Sequence, residues 1–272
     1  AGWADDRARA RDPGAGRVDG AGARGAPVGR DVRPEPGVRR TLTSRVLGRA
    51  KLVRIFGCPV RSTFVKSTDY AVTVYTTTGG EPTVGKYFAR SELGRAGLAA
   101  ERLSDDLFRD RPWRMPVVRW HRRGFTVPRL RDEDRLDLAC RTMTRAQRLE
   151  AGAWALDVLL DVYTAGYLHG DLQPHNVWLL DGCLVATDFE TLAPRTPGIP
   201  FLDSGDVTGN DPAPRPRPLD PAFDPDDDWS FHHVLGVSSR TRARALRVRL
   251  VTEAATSPAA ARRLATFDGE RT

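Results

Sequence analysis

Three residues in one short run set the chemical question. Asp171 ends the triplet His169-Gly170-Asp171, Asn176 follows five residues later, and Asp188 opens Asp188-Phe189-Glu190 at the end of an apolar run. A positioned carboxylate can take up a proton. A second carboxylate and an amide oxygen suit a hard cation such as Mg2+. An Asp and an Asn at this spacing also cap turns. What separates this stretch from turn chemistry is the ordered set, following a capped helix and lying between two apolar strands.

Two further residues belong to the question. Val84, Lys86 and Phe88 alternate along a predicted strand, so all three share one face. A lysine flanked by apolar residues on a buried face requires an anionic partner. Ser91 is placed to cap a helix over residues 92–108, and Glu101 lies in its middle.

These residues must be positioned by the surrounding elements. Residues 1–40 are rich in Gly, Ala, Arg, Asp and Pro without periodicity and read as a disordered basic leader. Order is expected from about Thr41. Lys51–Phe56 is a short apolar-alternating run. Strands are predicted at Ser62–Lys66, Tyr70–Thr76 and Pro82–Ala89, forming an antiparallel meander. A further hairpin is expected from Pro116–Trp120 and Gly124–Val127, leading out through Val127–Leu130. Thr144-Arg145-Ala146-Gln147 has the pattern of a capping box and predicts a helix start. Trp154, Val158 and Val162 give that helix a buried face, and Gly166 suits its C-terminal cap. Asp157 and Asp161 fall on another face, where paired acids are ordinarily solvated.

Composition narrows the class. The net charge is +7, but residues 1–50 hold eleven arginines and six acids, so +5 of it sits in the leader. No basic stripe carries interleaved aromatics, so nucleic acid is not an expected partner. Cys58, Cys140 and Cys183 form neither a disulfide framework nor a zinc pattern. A reducing, cytoplasmic setting is expected. Ala151–Leu168 is the longest apolar stretch, but Asp157 and Asp161 interrupt it, so no membrane span is expected.

The run from His169 to Glu190 resembles the His-Gly-Asp type of catalytic loop found in the protein-kinase-like superfamily. That form occurs in aminoglycoside phosphotransferases, lipopolysaccharide-type kinases and the kinase domains of lanthipeptide synthetases. The resemblance covers about residues 50–236, and Lys86 and Glu101 extend it. It implies an α+β bilobal fold: a leader at 1–40, an antiparallel-sheet lobe with one helix at 41–130, and a small, mainly helical lobe at 131–272. It implies an ATP- and Mg2+-dependent phosphotransferase acting on a hydroxyl of a protein or a small molecule. Asp171 would orient or accept the proton of the attacking hydroxyl. Asn176 and Asp188 would hold Mg2+, Asp188 bridging it to the β/γ-phosphates. Lys86, paired with Glu101, would position the α/β-phosphates. Val127–Leu130 would meet the adenine, and His169 would brace the loop.

The chain also departs from the family pattern. Gln173 stands where protein serine/threonine kinases carry a lysine, Gly170 replaces an arginine and Glu190 a glycine. The turn Lys66-Ser67-Thr68-Asp69 contains no glycine, the residue that lets backbone N–H groups cradle phosphates. A nucleotide-binding module without turnover is therefore an alternative expectation. Asp226-Asp227-Asp228-Trp229-Ser230-Phe231 resembles the start of the helix that anchors a kinase catalytic loop, with Asp227 bonding the loop's N–H groups. Ser238–Arg249 should form a helix with a basic face, and Pro258–Phe267 a last helix.

Overall fold

The computed structural model describes residues 49–59, 62–209 and 231–269. The architecture is α+β. Its first part is a five-stranded antiparallel sheet of β1 (Thr63–Ser67), β2 (Ala71–Thr78), β3 (Glu81–Phe88), β4 (Arg119–His121) and β5 (Gly124–Pro128), in the order β1-β2-β3-β5-β4. Helix α1 (Arg49–Phe56) packs on one face of it through Phe56, against Val72, Val74 and Tyr87. The expected alternation of Lys51–Phe56 is thus helical.

Helix α2 (Glu92–Phe108) covers the other face. It starts where Ser91 Oγ accepts the Gly94 N–H, as predicted. Gly97 allows it to come close: a Cβ there would meet the Phe88 ring at 3.0 Å and the Glu190 Cβ at 3.5 Å. Leu98 joins Ala71, Phe88 and Phe125 in a cluster on this face.

The register of β1 contains one irregularity that aims a side chain. Phe64 pairs with Val74 and Lys66 with Thr73, so Val65 is an extra residue in β1. The bulge turns Lys66 to the face shared by Thr73 and Lys86, which are themselves register partners. Without it, Lys66 would lie on the face of α1.

From residue 132 the chain is mainly helical. The short α3 (Leu136–Ala139) leads to α4 (Arg145–Thr164), whose capping box forms as expected: Gln147 N–H to Thr144 Oγ1, and Thr144 N–H to Gln147 Oε1. Val158 and Val162 are buried, with Ala151, Leu156, Leu159 and Leu160, while Trp154 is half-buried. This helix is the centre of the larger hydrophobic core. Gly166 ends it at φ +93°. The expected solvation of Asp157 and Asp161 is corrected here. Arg249 and Arg263 pair with Asp157, and Asp161 bonds Arg263 at 3.0 Å and Trp113 Nε1 at 2.8 Å. These pairs tie α4 to α7 (Ser239–Ala254) and α8 (Pro258–Phe267). The Arg-rich α7 also sends one arginine, Arg242, into the core. Its expected basic face is therefore partly interior. α6 (Phe231–Leu235) lies beside α4.

Small β elements complete the chain between α4 and α6. β6 (Tyr167–Leu168) pairs with β9 (Ala193–Pro194), and β7 (Val177–Leu180) with β8 (Cys183–Ala186). The β7–β8 turn is Asp181-Gly182 with φ +49° and +77°, the two positive values a tight hairpin needs. No described helix is long and apolar enough to cross a membrane.

Candidate functional site

Local geometry assembles the site from separate elements. The β7–β8 hairpin determines how Asn176 and Asp188 meet. Val177 faces Ala186 across the ladder, so the flanking residues are brought together. The Thr187 N–H donates to the Asn176 carbonyl at 2.9 Å, and the Thr187 hydroxyl to the same oxygen at 3.0 Å. A 3₁₀ turn at Pro174–Asn176 folds Asn176 back on the preceding loop. Its Nδ2 donates to the Asp171 carbonyl at 2.9 Å and to Asp171 Oδ2 at 3.3 Å. Asp171, Asn176 and Asp188 therefore form one group, as the sequence predicts.

Lys86 joins it from the sheet. Its ammonium pairs with Asp188 Oδ1, lies 2.7 Å from Glu190 Oε2 and is 3.5 Å from Glu101 Oε1. The expected pair with Glu101 is present, and Glu190 is an additional partner that its sequence position did not announce. Burial disfavours the lysine's charge, but Asp188, Glu101 and Glu190 outweigh it and hold the ammonium above its ordinary range. Asp188 moves the other way. Burial opposes ionisation, yet Lys86 keeps the carboxyl below its ordinary value.

Glu101 is fully buried and serves two elements. Oε1 accepts the Phe189 N–H at 3.1 Å, and Oε2 lies 3.5 Å from Arg114 Nη2. Burial raises its pKa, with Lys86 and Arg114 opposing. Arg114 also donates to Ser104 Oγ at 3.0 Å and places its guanidinium 4.5 Å over the Phe189 ring. Phe108, Trp113 and His169 close a cage around that ring, His169 at 4.3 Å between centroids. The fully buried Phe189 thus fixes Asp188, whose φ of +68° is uncommon for a residue with a side chain.

The loop bearing Asp171 is held from below. Asp206, in α5 (Gly205–Gly209), accepts the His169 N–H at 2.6 Å and the Gly170 N–H at 2.7 Å. This is the part expected of Asp227. Asp227 lies outside the described residues, and Asp206 carries both bonds. His169 braces the loop as expected, its Nδ1 accepting the Asp171 N–H at 3.3 Å. Burial pushes its pKa down to about 4, so the ring is neutral near pH 7. Gly170 has φ +82°, and a Cβ there would meet the Thr191 backbone oxygen at 3.0 Å. Any residue with a side chain would be strained here.

Three residues near the cluster were not singled out as site residues in the sequence. Lys66, aimed by the bulge, lies near enough to lower the pKa of both Asp171 and Asp188 and to depress His175. Glu190 is held by Tyr70, whose hydroxyl donates to Oε1 at 2.8 Å. Arg114 has no periodic signal. Asp171 itself is raised to about 6, first by burial and then by the charge of Asp188, with the Asn176 bond opposing.

The oxygens suit a divalent cation. Lys86 takes only Oδ1 of Asp188, and Asn176 donates through Nδ2, so Asp188 Oδ2 and Asn176 Oδ1 remain. Among the described residues no set of three His, Cys, Asp or Glu side chains could hold an ion alone. A bound Mg2+ would take its other ligands from phosphate and water, its usual habit. No protein-family model matches the chain, and no curated protein matches it.

Proposed function

We propose that the protein is an ATP- and Mg2+-dependent phosphotransferase that moves a γ-phosphoryl group to a hydroxyl. The observation that carries this reading is convergence. Lys86, Glu101, Asp171, Asn176 and Asp188 come from a strand, a helix, a loop, a 3₁₀ turn and a post-hairpin turn, spanning 102 residues from Lys86 to Asp188, and meet in one cluster. In this reading the sheet with α1 and α2 is a nucleotide-covering lobe and the helical part from about residue 131 is the second. The sheet's own two clusters, around Val72 and around Phe88, support that division, while the C-terminal end of α2 joins the large cluster around α4 through Phe108.

Each side chain then has a defined task. Lys86 lies between three carboxylates and exchanges part of that charge for phosphate oxygens. Glu101 keeps Lys86 and the Phe189 N–H in place. Asn176 and Asp188 would hold Mg2+, whose chemistry is neutralisation of charge on the β/γ-phosphates. Asp171, braced by Asn176, accepts the hydroxyl proton as the acceptor attacks, and its pKa of about 6 leaves it ionised at neutral pH. Lys66 adds a cation at the β1–β2 hairpin, where no glycine-rich turn is present. The acceptor is a protein hydroxyl or that of a small sugar or lipid-linked molecule.

A second reading is nucleotide binding without turnover. It is favoured by Glu190, a third carboxylate on Lys86 in a site that has no glycine-rich turn. Labelled γ-phosphate ATP, incubated with the protein and pools of peptides, glycans and lipids, separates the two. Transfer that requires Mg2+ and disappears in Asp171→Ala supports the phosphotransferase. Mg2+-dependent ATP binding with no transfer to any pool, to water or to the protein itself favours the second reading.

A further inference from the structure

Strand alternation puts Tyr87 on the face opposite Lys86, toward α1. A cavity of about 430 Å³ opens there, between the end of α1, β3 and the β4–β5 turn, lined by Arg54, Tyr87, Arg90, His121, Arg122 and Arg123 among others. Among the described lining residues there is no carboxylate. Arg54, Arg90 and Arg122 have no ion-pair partner among the described residues. Burial and the neighbouring charges of Arg90 and Arg122 push the Arg123 pKa down.

A solvated surface would account for the arginines alone. It does not account for the polar atoms buried beside them. Tyr87 is 1% exposed, and its hydroxyl has no hydrogen-bond partner among the described residues. His121 Nε2 and Arg123 Nη2 are also buried and have no hydrogen-bond partner among the described residues. Arg123 is held in place, its Nε donating to the Phe88 carbonyl at 3.2 Å. The His121 ring rests 5.5 Å from the Tyr87 ring. Unsatisfied buried polar atoms are costly, and here three line one basic cavity.

We infer that this cavity is a second anion site, distinct from the acidic cluster, that takes a small phosphate-bearing molecule. The lining supplies a hydroxyl, ring N–H and guanidinium groups, which are donors. A ligand rich in acceptor oxygens and negative charge complements them, and arginine forks match phosphate geometry. The volume suits a ligand larger than a lone orthophosphate.

Pyrophosphate binding to the full chain, without Mg2+ or nucleotide, tests the inference by calorimetry and thermal shift. Saturable binding is expected, with no comparable effect of chloride at equal ionic strength. The double variant Arg90→Ser, Arg122→Ser changes two exposed residues and leaves the fold intact. It should weaken binding by roughly tenfold or more, the scale of a lost charge-assisted bond. Asp188→Ala removes a carboxylate that meets Lys86 on the other face of the sheet, and it should retain binding. Tyr87→Phe removes an unpartnered hydroxyl, so it should weaken pyrophosphate binding without lowering the melting temperature of the free protein. Binding unchanged in the arginine double variant, or a chloride effect equal to that of pyrophosphate, would overturn the inference. So would a clear loss of stability in free Tyr87→Phe, because the hydroxyl would then have a partner in the protein.

Discussion

Asp206 offers the most direct test of how the loop bearing Asp171 is held in place. Its carboxylate accepts two backbone N–H bonds, at 2.6 Å from His169 and 2.7 Å from Gly170, and the residue is 7% exposed. Asp206→Ala strands both donors in the interior. A buried unsatisfied N–H costs about 1–3 kcal/mol, so the two together cost about 2–6 kcal/mol. Burial itself pushes the Asp206 carboxyl above its ordinary range, so removing that charge returns a part. The expected net loss is about 3 kcal/mol. For an ordered chain of this size that lowers the melting temperature by roughly 6–12 °C. Asp206→Asn keeps one acceptor and turns an amide N–H2 toward the other donor, so it should be intermediate or worse. Urea unfolding gives the free energies, and hydrogen exchange at the Gly170 amide reports the loop directly. Asp206→Ala within about 0.5 kcal/mol of wild type, with Gly170 exchange unchanged, would refute the reasoning.

Four other perturbations address the cluster itself. Turnover should fall as pH drops below about 6, because Asp171 must be ionised, and a pH–rate profile flat down to pH 5 would contradict its role as base. The same carboxyl has a folded-state pKa raised from the ordinary 3.8, so its contribution to stability is complete below about pH 3.8 and is lost as pH rises through about 6. Asp171→Asn should therefore abolish turnover yet raise stability at pH 7, by about 1 kcal/mol after allowance for solvent screening, measurable by urea unfolding. Arg114→Met leaves the buried Glu101 with Lys86 as its remaining cation and should cost about 3 kcal/mol, with Glu101→Gln recovering much of it in a double-mutant cycle. Lys66→Ala removes an exposed residue of β1, so its stability should change by less than about 0.5 kcal/mol, while the Asp171 pKa rises and the KM for ATP increases.

Local rules in the sequence located the fold's main elements. α2 begins at Ser91 and α4 at Thr144 because a side-chain oxygen followed by an amphipathic run defines a helix start. The strands of the meander fall within one or two residues of their predicted bounds, where β-branched residues alternate. In the site, Asp171, Asn176 and Asp188 were legible because the loop and one short hairpin bring them together at close range. Lys86 and Glu101 were legible because a lysine on an apolar strand face needs a partner. The misses have physical causes. Lys66 looked like a turn residue because the bulge at Val65, which turns it, leaves no periodic trace. Asp206 carries no local signal, because its role depends on two N–H groups 36 and 37 residues away. Glu190 and Arg114 acquire their partners only through tertiary packing around Phe189. Asp157 and Asp161 read as solvated because their partners, Arg249 and Arg263, come from helices far along the chain.

In the proposed function Asp188 and Asn176, with Lys86, form a Mg2+–ATP site. Calorimetric titration of ATP into the protein, with and without Mg2+, tests it most directly. ATP binding should strengthen at least tenfold with Mg2+ in the wild type, with that Mg2+ dependence gone in Asp188→Ala. ATP that fails to bind at millimolar concentration with saturating Mg2+, or that binds wild type and Asp188→Ala with the same Mg2+ dependence, would contradict it.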